Sequence, residues 1–318
     1  MGGDPVLPNI LVITGPTASG KTWLAVELAK QYNGEVVSAD SMQIYRRMDI
    51  GTAKPTFAEM QGVPHHMIDV ADPEEDFSVA RYVEMAAAAV DGALSRGRLP
   101  ILAGGTGLYI DSLLSGRTFA AFDESSPLRA ELEERFRVQG GRALLNELAR
   151  VDPETAARLH PNDAKRIVRA LEVWLSTGRT ITQHNEETRA LPPRYRALTL
   201  NLDFARREDM WERIDRRVDR MMADGLAEEV RSLLDSGVPE RCTAMQAIGY
   251  KELAAAIRGG GDLQAAAEEI KLRSRQYAKR QRTWFRRNGE ARPLIWESEP
   301  NFADVLHRST KYLEEFGI

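Results

Sequence analysis

Residues 15–22 read Gly-Pro-Thr-Ala-Ser-Gly-Lys-Thr. This is the Gly-x4-Gly-Lys-Thr spacing of a phosphate-binding loop, and it lies between an apolar run, Ile10 to Thr14, and an amphipathic stretch. The required context is a strand, a glycine-bounded turn and a helix N-terminus, so these eight residues decide the fold class: an α/β protein with a P-loop NTPase-like core. In such a loop successive backbone N–H groups bind phosphate oxygens, the lysine adds a point charge and the threonine hydroxyl ligates Mg2+. The expected phosphate-binding residues are Gly15, Thr17, Ala18, Ser19, Gly20, Lys21 and Thr22, with Thr22 also the metal ligand and Mg2+ the cofactor. The loop reports a diphosphate or triphosphate, not the group attached to it.

Outward from the loop, short apolar runs alternate with amphipathic stretches to about residue 121, the βαβ signature of a parallel sheet flanked by helices. The expected strands are Ile10 to Thr14, Glu35 to Ser38 and Pro100 to Ala103, and ligands gather at the carboxyl ends of such strands. A nucleotide hydrolase or kinase would add an apolar strand ending in a magnesium-directed Asp. Here Val36-Val37-Ser38-Ala39 leads into Asp40, while Leu99 to Ala103 leads into Gly104-Gly105-Thr106, and no Asn-Lys-x-Asp for guanine is present. A generic ATPase is a poor match.

Four helical patterns follow without a strand: Pro127 to Gln139, Arg142 to Arg150, Pro153 to His160 and Asp163 to Thr177. Asp152 before Pro153 suits an N-cap and N1 pair, and Gly178 is placed to close the last helix. Residues 122–189 thus read as an all-helical insertion in a core of 1–121 and 190–318. A strand, Ala197 to Leu202, returns the chain to the sheet, and from Glu208 to about Arg287 the pattern is helical, broken at Gly237-Val238-Pro239 and Gly259-Gly260-Gly261. A length of 318 residues agrees with two domains at about 150 each.

Net charge is −4, which excludes a uniformly basic nucleic-acid coat. Its distribution is uneven. Residues 271–292 hold nine Lys or Arg and one acidic residue, a local +8 interleaved with Tyr277, Trp284 and Phe285, so the rest of the chain carries −12. Such segregation suits a surface that tracks a phosphate backbone; a merely solvated helix is the alternative. The one cysteine, Cys242, excludes an intramolecular disulfide and fits a reducing cytoplasm. No apolar run approaches the ~18 residues of a membrane span. Met-Gly-Gly-Asp-Pro lacks a basic targeting region and Val6 lacks the hydroxyl of a myristoylation signal, so a cytoplasmic location is expected. His65-His66 with Asp69 does not make a metal site, because adjacent histidines point apart and no further ligand pattern follows.

The motifs together resemble one family, the tRNA dimethylallyltransferases, or tRNA isopentenylpyrophosphate transferases. The phosphate loop, Ser38-Ala-Asp-Ser-Met-Gln-Ile-Tyr45, Met48-Asp-Ile-Gly-Thr-Ala-Lys-Pro55 and Gly104-Gly-Thr-Gly-Leu-Tyr109 are similar to its blocks. So are His160-Pro-Asn-Asp163 with Arg169-Ala-Leu-Glu172, Ile248-Gly-Tyr250, and Tyr277-Ala-Lys-Arg-Gln-Arg-Thr-Trp284, in the family's order and over nearly the whole chain. The resemblance implies transfer of a dimethylallyl group from dimethylallyl diphosphate to N6 of the adenosine 3′ of the anticodon, with release of pyrophosphate.

On that resemblance Asp40 is the expected general base, and its position directly after a strand agrees; a helix cap or turn role is the plain alternative. Thr106 is expected beside the oxygen bridging pyrophosphate to the dimethylallyl carbon, against a simple N-cap for Leu108 to Leu114. The family's diphosphate-contacting arginine matches Arg217, which shares a helix face with Arg213, while Arg216 is left to solvent. Expected tRNA contacts are Asp40, Ser41, Met42, Gln43 and Thr106 at the target base. Arg129, Lys165, Arg166, Ile167, Val168 and Arg169 are expected contacts on the insertion. Gln246, Gly249, Tyr250 and Lys251, with Lys279, Arg280 and Arg282, complete the set. The expected partner is a tRNA anticodon stem-loop, met by a monomer with no obligate protein partner. Enzymes that prenylate free adenine nucleotides share the loop but need neither a basic helical C-terminus nor a basic insertion.

Overall fold

The computed structural model describes residues 7–116, 126–297 and 301–318. The N-terminal residues read for targeting signals, and the expected boundary between 121 and 122, lie outside them. The chain divides into two compact units, Met1–Leu114 with Arg194–Ile318 and Ser115–Pro193.

In the first unit, six strands form one parallel sheet: β1 (Asn9–Thr14), β2 (Gly34–Ser38), β3 (His65–His66), β4 (Leu99–Ala103), β5 (Arg196–Phe204) and β6 (Arg292–Trp296). Their order is β3-β2-β4-β1-β5-β6. The described helices are α1 (Lys21–Gln31), α2 (Phe57–Met60), α3 (Val79–Ser95) and α4 (Gly107–Leu114); α5 (Pro127–Gln139), α6 (Gly141–Val151), α7 (Pro153–Ala157), α8 (Ala164–Thr177) and α9 (Ile181–Arg189); and α10 (Arg207–Ala223), α11 (Leu226–Asp235), α12 (Tyr250–Gly259), α13 (Leu263–Phe285) and α14 (Phe302–Phe316). The P-loop NTPase-like α/β expectation holds.

Alternation along β1 splits the core in two. Ile10 and Val12 pack with Val37, Leu102, Tyr82, Val90 and Ile110, while Leu11 and Ile13 pack with Leu24, Leu28, Ile101, Leu200 and Leu202 on the opposite face. A sheet covered on both faces needs such near-continuous apolar strands. Among the described residues no helix is long and apolar enough to cross a membrane.

Two strands and several helices differ from expectation. β3 is two residues long and pairs Val36 with His65 and Val37 with His66, too short to show a periodicity. β6 extends the far edge beside β5 after the long helical run. The helix expected over Pro153 to His160 ends at Ala157, and α9 follows α8, so Gly178 (φ 70) closes α8 but not the last helix. Asp152 does cap α7, accepting from Thr155 N–H at 3.0 Å. Its carboxylate also accepts from Thr182 N–H and Oγ1, at 3.1 and 2.6 Å, tying α7 to α9. The second unit has its own core of Leu132, Leu144, Leu148, Ile167, Val168 and Leu171.

Candidate active site

β4, β1 and β2 are neighbours, so the loops at their carboxyl ends converge. Beyond β1 the phosphate loop turns at Gly15, where a Cβ would lie 2.5 Å from Leu202 O and 2.9 Å from Ser19 Oγ; only glycine fits. Ala18 and Gly20 take left-handed conformations (φ 63 and 87), a sequence of turns that aims successive N–H groups inward. The first intrahelical bond of α1 is Leu24 N–H to Gly20 C=O, which leaves the preceding amides for a ligand. The buried Ser19 hydroxyl has no hydrogen-bond partner among the described residues. Lys21 Nζ donates to the carbonyls of Gly15 (3.0 Å) and Pro16 (2.8 Å).

Asp40 lies two residues beyond β2. Its Oδ1 accepts from Met42 N–H (2.9 Å) and more weakly from Gln43 N–H (3.4 Å), a turn role that leaves Oδ2 without a hydrogen bond among the described residues. Thr106 follows β4. Its hydroxyl accepts from Ser41 N–H at 3.0 Å and lies 3.3 Å from Ser41 Oγ, joining the β4 loop to the Asp40 loop. The two loops also exchange Ala39 N–H to Ala103 C=O (2.8 Å) and Thr106 N–H to Ala39 C=O (3.0 Å). Gly104 permits the approach, since a Cβ there would lie 2.1 Å from Ala39 O.

The cations gather on the same side. Burial and the charge of Arg217 lower Lys21 to a pKa of about 7, with Asp40 opposing the shift. Arg217 is itself lowered by burial, again opposed by Asp40. Arg213 Nε donates to Ala18 O at 3.0 Å, bracing the loop from outside, whereas Arg216 is exposed and pairs with Glu212. Two crowded cations facing one carboxylate form a site short of negative charge, which a phosphate supplies. Tyr277, on α13, is raised to about 12 by burial and the Asp40 charge, and its phenol faces Thr106 and Gln281.

The expected nucleic-acid residues fall into two groups. Lys165, Arg166, Gln246, Lys251, Lys279 and Arg280 are exposed. Others are engaged within the protein. Ile167 and Val168 are core residues of the second unit. Buried Glu172 accepts from Arg169 (2.8 Å) and Arg129 (3.4 Å) together. The amide of Gln43 donates to Ala53 O (3.2 Å) and accepts from Ser38 Oγ (2.9 Å). Arg282 Nε lies 2.7 Å from Asp203 Oδ1, a charge contact without hydrogen-bond alignment, and its Nη2 donates to Phe204 O at 3.1 Å. Tyr250 is fully buried, and its phenol donates to Glu229 at 2.6 Å. Ser41 and Met42 are partly buried at the site, and Gly249 (φ 100) precedes α12.

The +8 segment is therefore less free than its composition suggests. Lys271 meets Asp219 and Glu268, Arg273 meets Glu269, Arg275 meets Asp215, and Arg282 and Arg286 meet Asp203. Lys279, Arg280, Arg287 and Arg292 have no ion pair among the described residues, and the last three lie over the rings of Tyr277, Trp284 and Tyr312.

Two residues of structural consequence are not among the expected site residues. Buried Gln281 accepts from Thr17 N–H and donates to Gly105 O, both at 2.9 Å. Glu229 accepts from the N–H groups of Asp49, Ile50 and Gly51 (2.9, 2.8 and 3.2 Å), and so holds the 48–55 loop. His66 and His65 serve structure, contacting Glu35 at 2.7 Å and Val63 O at 2.8 Å, while Asp69 pairs with Lys54.

Comparison with known proteins agrees with this geometry. Residues 43–288 match the IPP transferase family. The chain is 47% identical over 311 residues to tRNA dimethylallyltransferase 1 of Pelobacter propionicus, covering 98% of this chain and 99% of that one. It is 44% identical over 315 residues to the tRNA dimethylallyltransferase of Acetivibrio thermocellus, at 98% and 99% coverage. Among solved structures, the tRNA isopentenylpyrophosphate transferase of Bacillus halodurans matches with a TM-score of 0.71 and 40% identity, covering 96% and 97%. A eukaryotic dimethylallyltransferase acting on tRNA matches with 0.82 and 28%, covering 97% and 79%. With more than half its length inside the family match and relatives this similar end to end, the chain belongs to the IPP transferase family, the tRNA dimethylallyltransferases.

Proposed function

We propose that the chain transfers a dimethylallyl group from dimethylallyl diphosphate to N6 of the adenosine 3′ of the anticodon in tRNA, releasing pyrophosphate. The observation that carries the chemical assignment is the meeting of Asp40, Thr106 and the phosphate loop at adjoining strand ends, with Ser41 N–H on Thr106 joining the first two. The N6 lone pair attacks C1 of the dimethylallyl group, the C1–O bond breaks toward pyrophosphate, and the N6 proton passes to Asp40. An amine conjugated to a purine is a weak nucleophile, so positioning and stabilisation of the leaving group carry the rate. Lys21, Arg217 and the loop amides receive the negative charge that develops on pyrophosphate. Thr106 donates its hydroxyl to the bridging oxygen.

Among the described residues no three His, Cys, Asp or Glu cluster to hold a metal. The donor set fits Mg2+, which binds through few protein ligands and takes the rest from phosphate oxygens and water; Thr22, opening α1, is the protein ligand. When bound, the ion neutralises phosphate charge.

The exposed Lys165, Arg166, Lys251, Lys279 and Arg280 meet the tRNA backbone, and Met42 and Gln43 lie in the loop that faces the extruded base. Arg129 and Arg169, joined through Glu172, shape the insertion's contact with tRNA. The chain acts in the cytoplasm as a monomer. The test incubates it with labelled dimethylallyl diphosphate and undermodified tRNA, then digests the RNA. Label in N6-dimethylallyladenosine is the expected result, and label absent from tRNA refutes the assignment. Asp40→Asn should bind both substrates and lower kcat by about 10²-fold or more.

A further inference from the structure

The phosphate loop offers donors unevenly. From Ala18 through the first turn of α1 the backbone N–H groups make no hydrogen bond among the described residues. At the other end, Pro16 has no N–H, and the Thr17 N–H is already given to Gln281 Oε1 at 2.9 Å. That end presents oxygens instead: Gly15 O and Pro16 O, which Lys21 Nζ bridges in the free loop, and Gln281 Oε1.

Gln281 cannot easily turn away. It is 6% exposed, and its Nε2 donates to Gly105 O at 2.9 Å. Flipping the amide would set donor against donor at Thr17 and acceptor against acceptor at Gly105, leaving two buried polar groups unsatisfied. The pocket for it is built by a missing side chain, since a Cβ on Gly105 would lie 2.3 Å from Gln281 Nε2.

We infer that Gln281 is a specificity-determining residue: by occupying the Thr17 amide it fits the loop to two phosphates and against a third. The inference rests on the diphosphate assignment above and adds a limit on chain length. A two-phosphate ligand lies along the free amides from Ala18 toward α1. A third phosphoryl group extended past Ala18 meets the acceptor oxygens of Gly15, Pro16 and Gln281, where Lys21 Nζ is already shared between two carbonyls and the Thr17 amide is taken, so nucleoside triphosphates are disfavoured despite a loop sequence shared with proteins that bind them.

The experiment titrates inorganic pyrophosphate and inorganic tripolyphosphate, each with Mg2+, into the full chain by calorimetry. Charge alone favours tripolyphosphate. Wild type should nevertheless prefer pyrophosphate by about tenfold or more, and Gln281→Leu, which frees the Thr17 amide, should bring the two affinities within about threefold. Gly105→Ala provides a second route, displacing Gln281 while leaving it in the chain, and should narrow the ratio likewise. Equal binding of both ions by wild type, or an unchanged ratio in either folded variant, overturns the role of Gln281 and leaves the diphosphate assignment standing. Failure of wild type to bind pyrophosphate overturns both.

Discussion

Lys21 shows how a single residue is tuned by what surrounds it. Its ammonium is buried beside Arg217, which lowers its pKa to about 7, far below its usual 10.5. On the proposed function, diphosphate would supply the missing counter-charge and raise that value again. Below pH 7 Lys21 is already protonated and binding is strongest; above it, the free protein has lost the proton and must regain it on binding. At pH 8 wild type should therefore take up more protons per pyrophosphate bound than Lys21→Arg, whose guanidinium stays charged. Calorimetry in buffers of different ionisation enthalpy measures the difference, and equal uptake by both proteins would refute the shift. Lys21 is legible from sequence because the residues of the motif are neighbours in the chain. Gln281 is not, because its partner Thr17 is 264 positions away.

Elements make the same distinction. β1, β2 and β4 announce themselves as apolar runs because each is buried along nearly its whole length, β5 does so by apolar residues at alternate positions, and β3 gains its place only by pairing with β2. Glu35 joins these neighbours. Buried at the start of β2, it accepts from Arg96 at the end of α3 (Nη2, 2.7 Å) and contacts His66 on β3 (2.7 Å). The Arg96 hydrogen bond and then His66 hold its carboxyl down at about 2 against the opposing effect of burial. The depressed value stabilises the fold above the unfolded carboxyl's pKa, near 4.5, and that stability is lost as pH falls through about 2. Glu35→Gln should lower stability by about 1–3 kcal/mol at pH 7 and flatten its decline between pH 4.5 and 2, as followed by urea denaturation. A decline as steep as wild type's would show that another group sets it. In α13 a charge run hides its own pairing, since Asp203, Asp215 and Asp219, which neutralise it, come from β5 and α10.

For the molecule as a whole, the uneven charge directs where a polyanion is received. Affinity for tRNA should fall with added salt, and replacing Lys279 and Arg280 with Gln should reduce the slope of log K against log salt by about one to two. Arg282→Gln should act differently: among the described residues it leaves buried Asp203 with Arg286, 3.5 Å away, as its remaining cation and the Phe204 N–H as a donor, and should cost about 3 kcal/mol of stability in denaturant melts. An unchanged slope in the double variant would make the outer face of α13 a solvated surface. Helical content between residues 127 and 177 was readable from pattern because the second unit has its own apolar core. The grouping of Arg129 and Arg169 on Glu172 was not, since it joins α5 to α8. The phosphate loop is also held from afar by Trp296, whose indole N–H donates to Ser19 O at 3.0 Å across 277 positions. On the ribosome the chain is made from its N-terminus, so the loop emerges early but two of its braces, Gln281 and Trp296, follow only 264 and 277 positions after the residues they hold. A nascent chain thus carries the motif long before it has the site, and competence to hold diphosphate becomes a late event of translation.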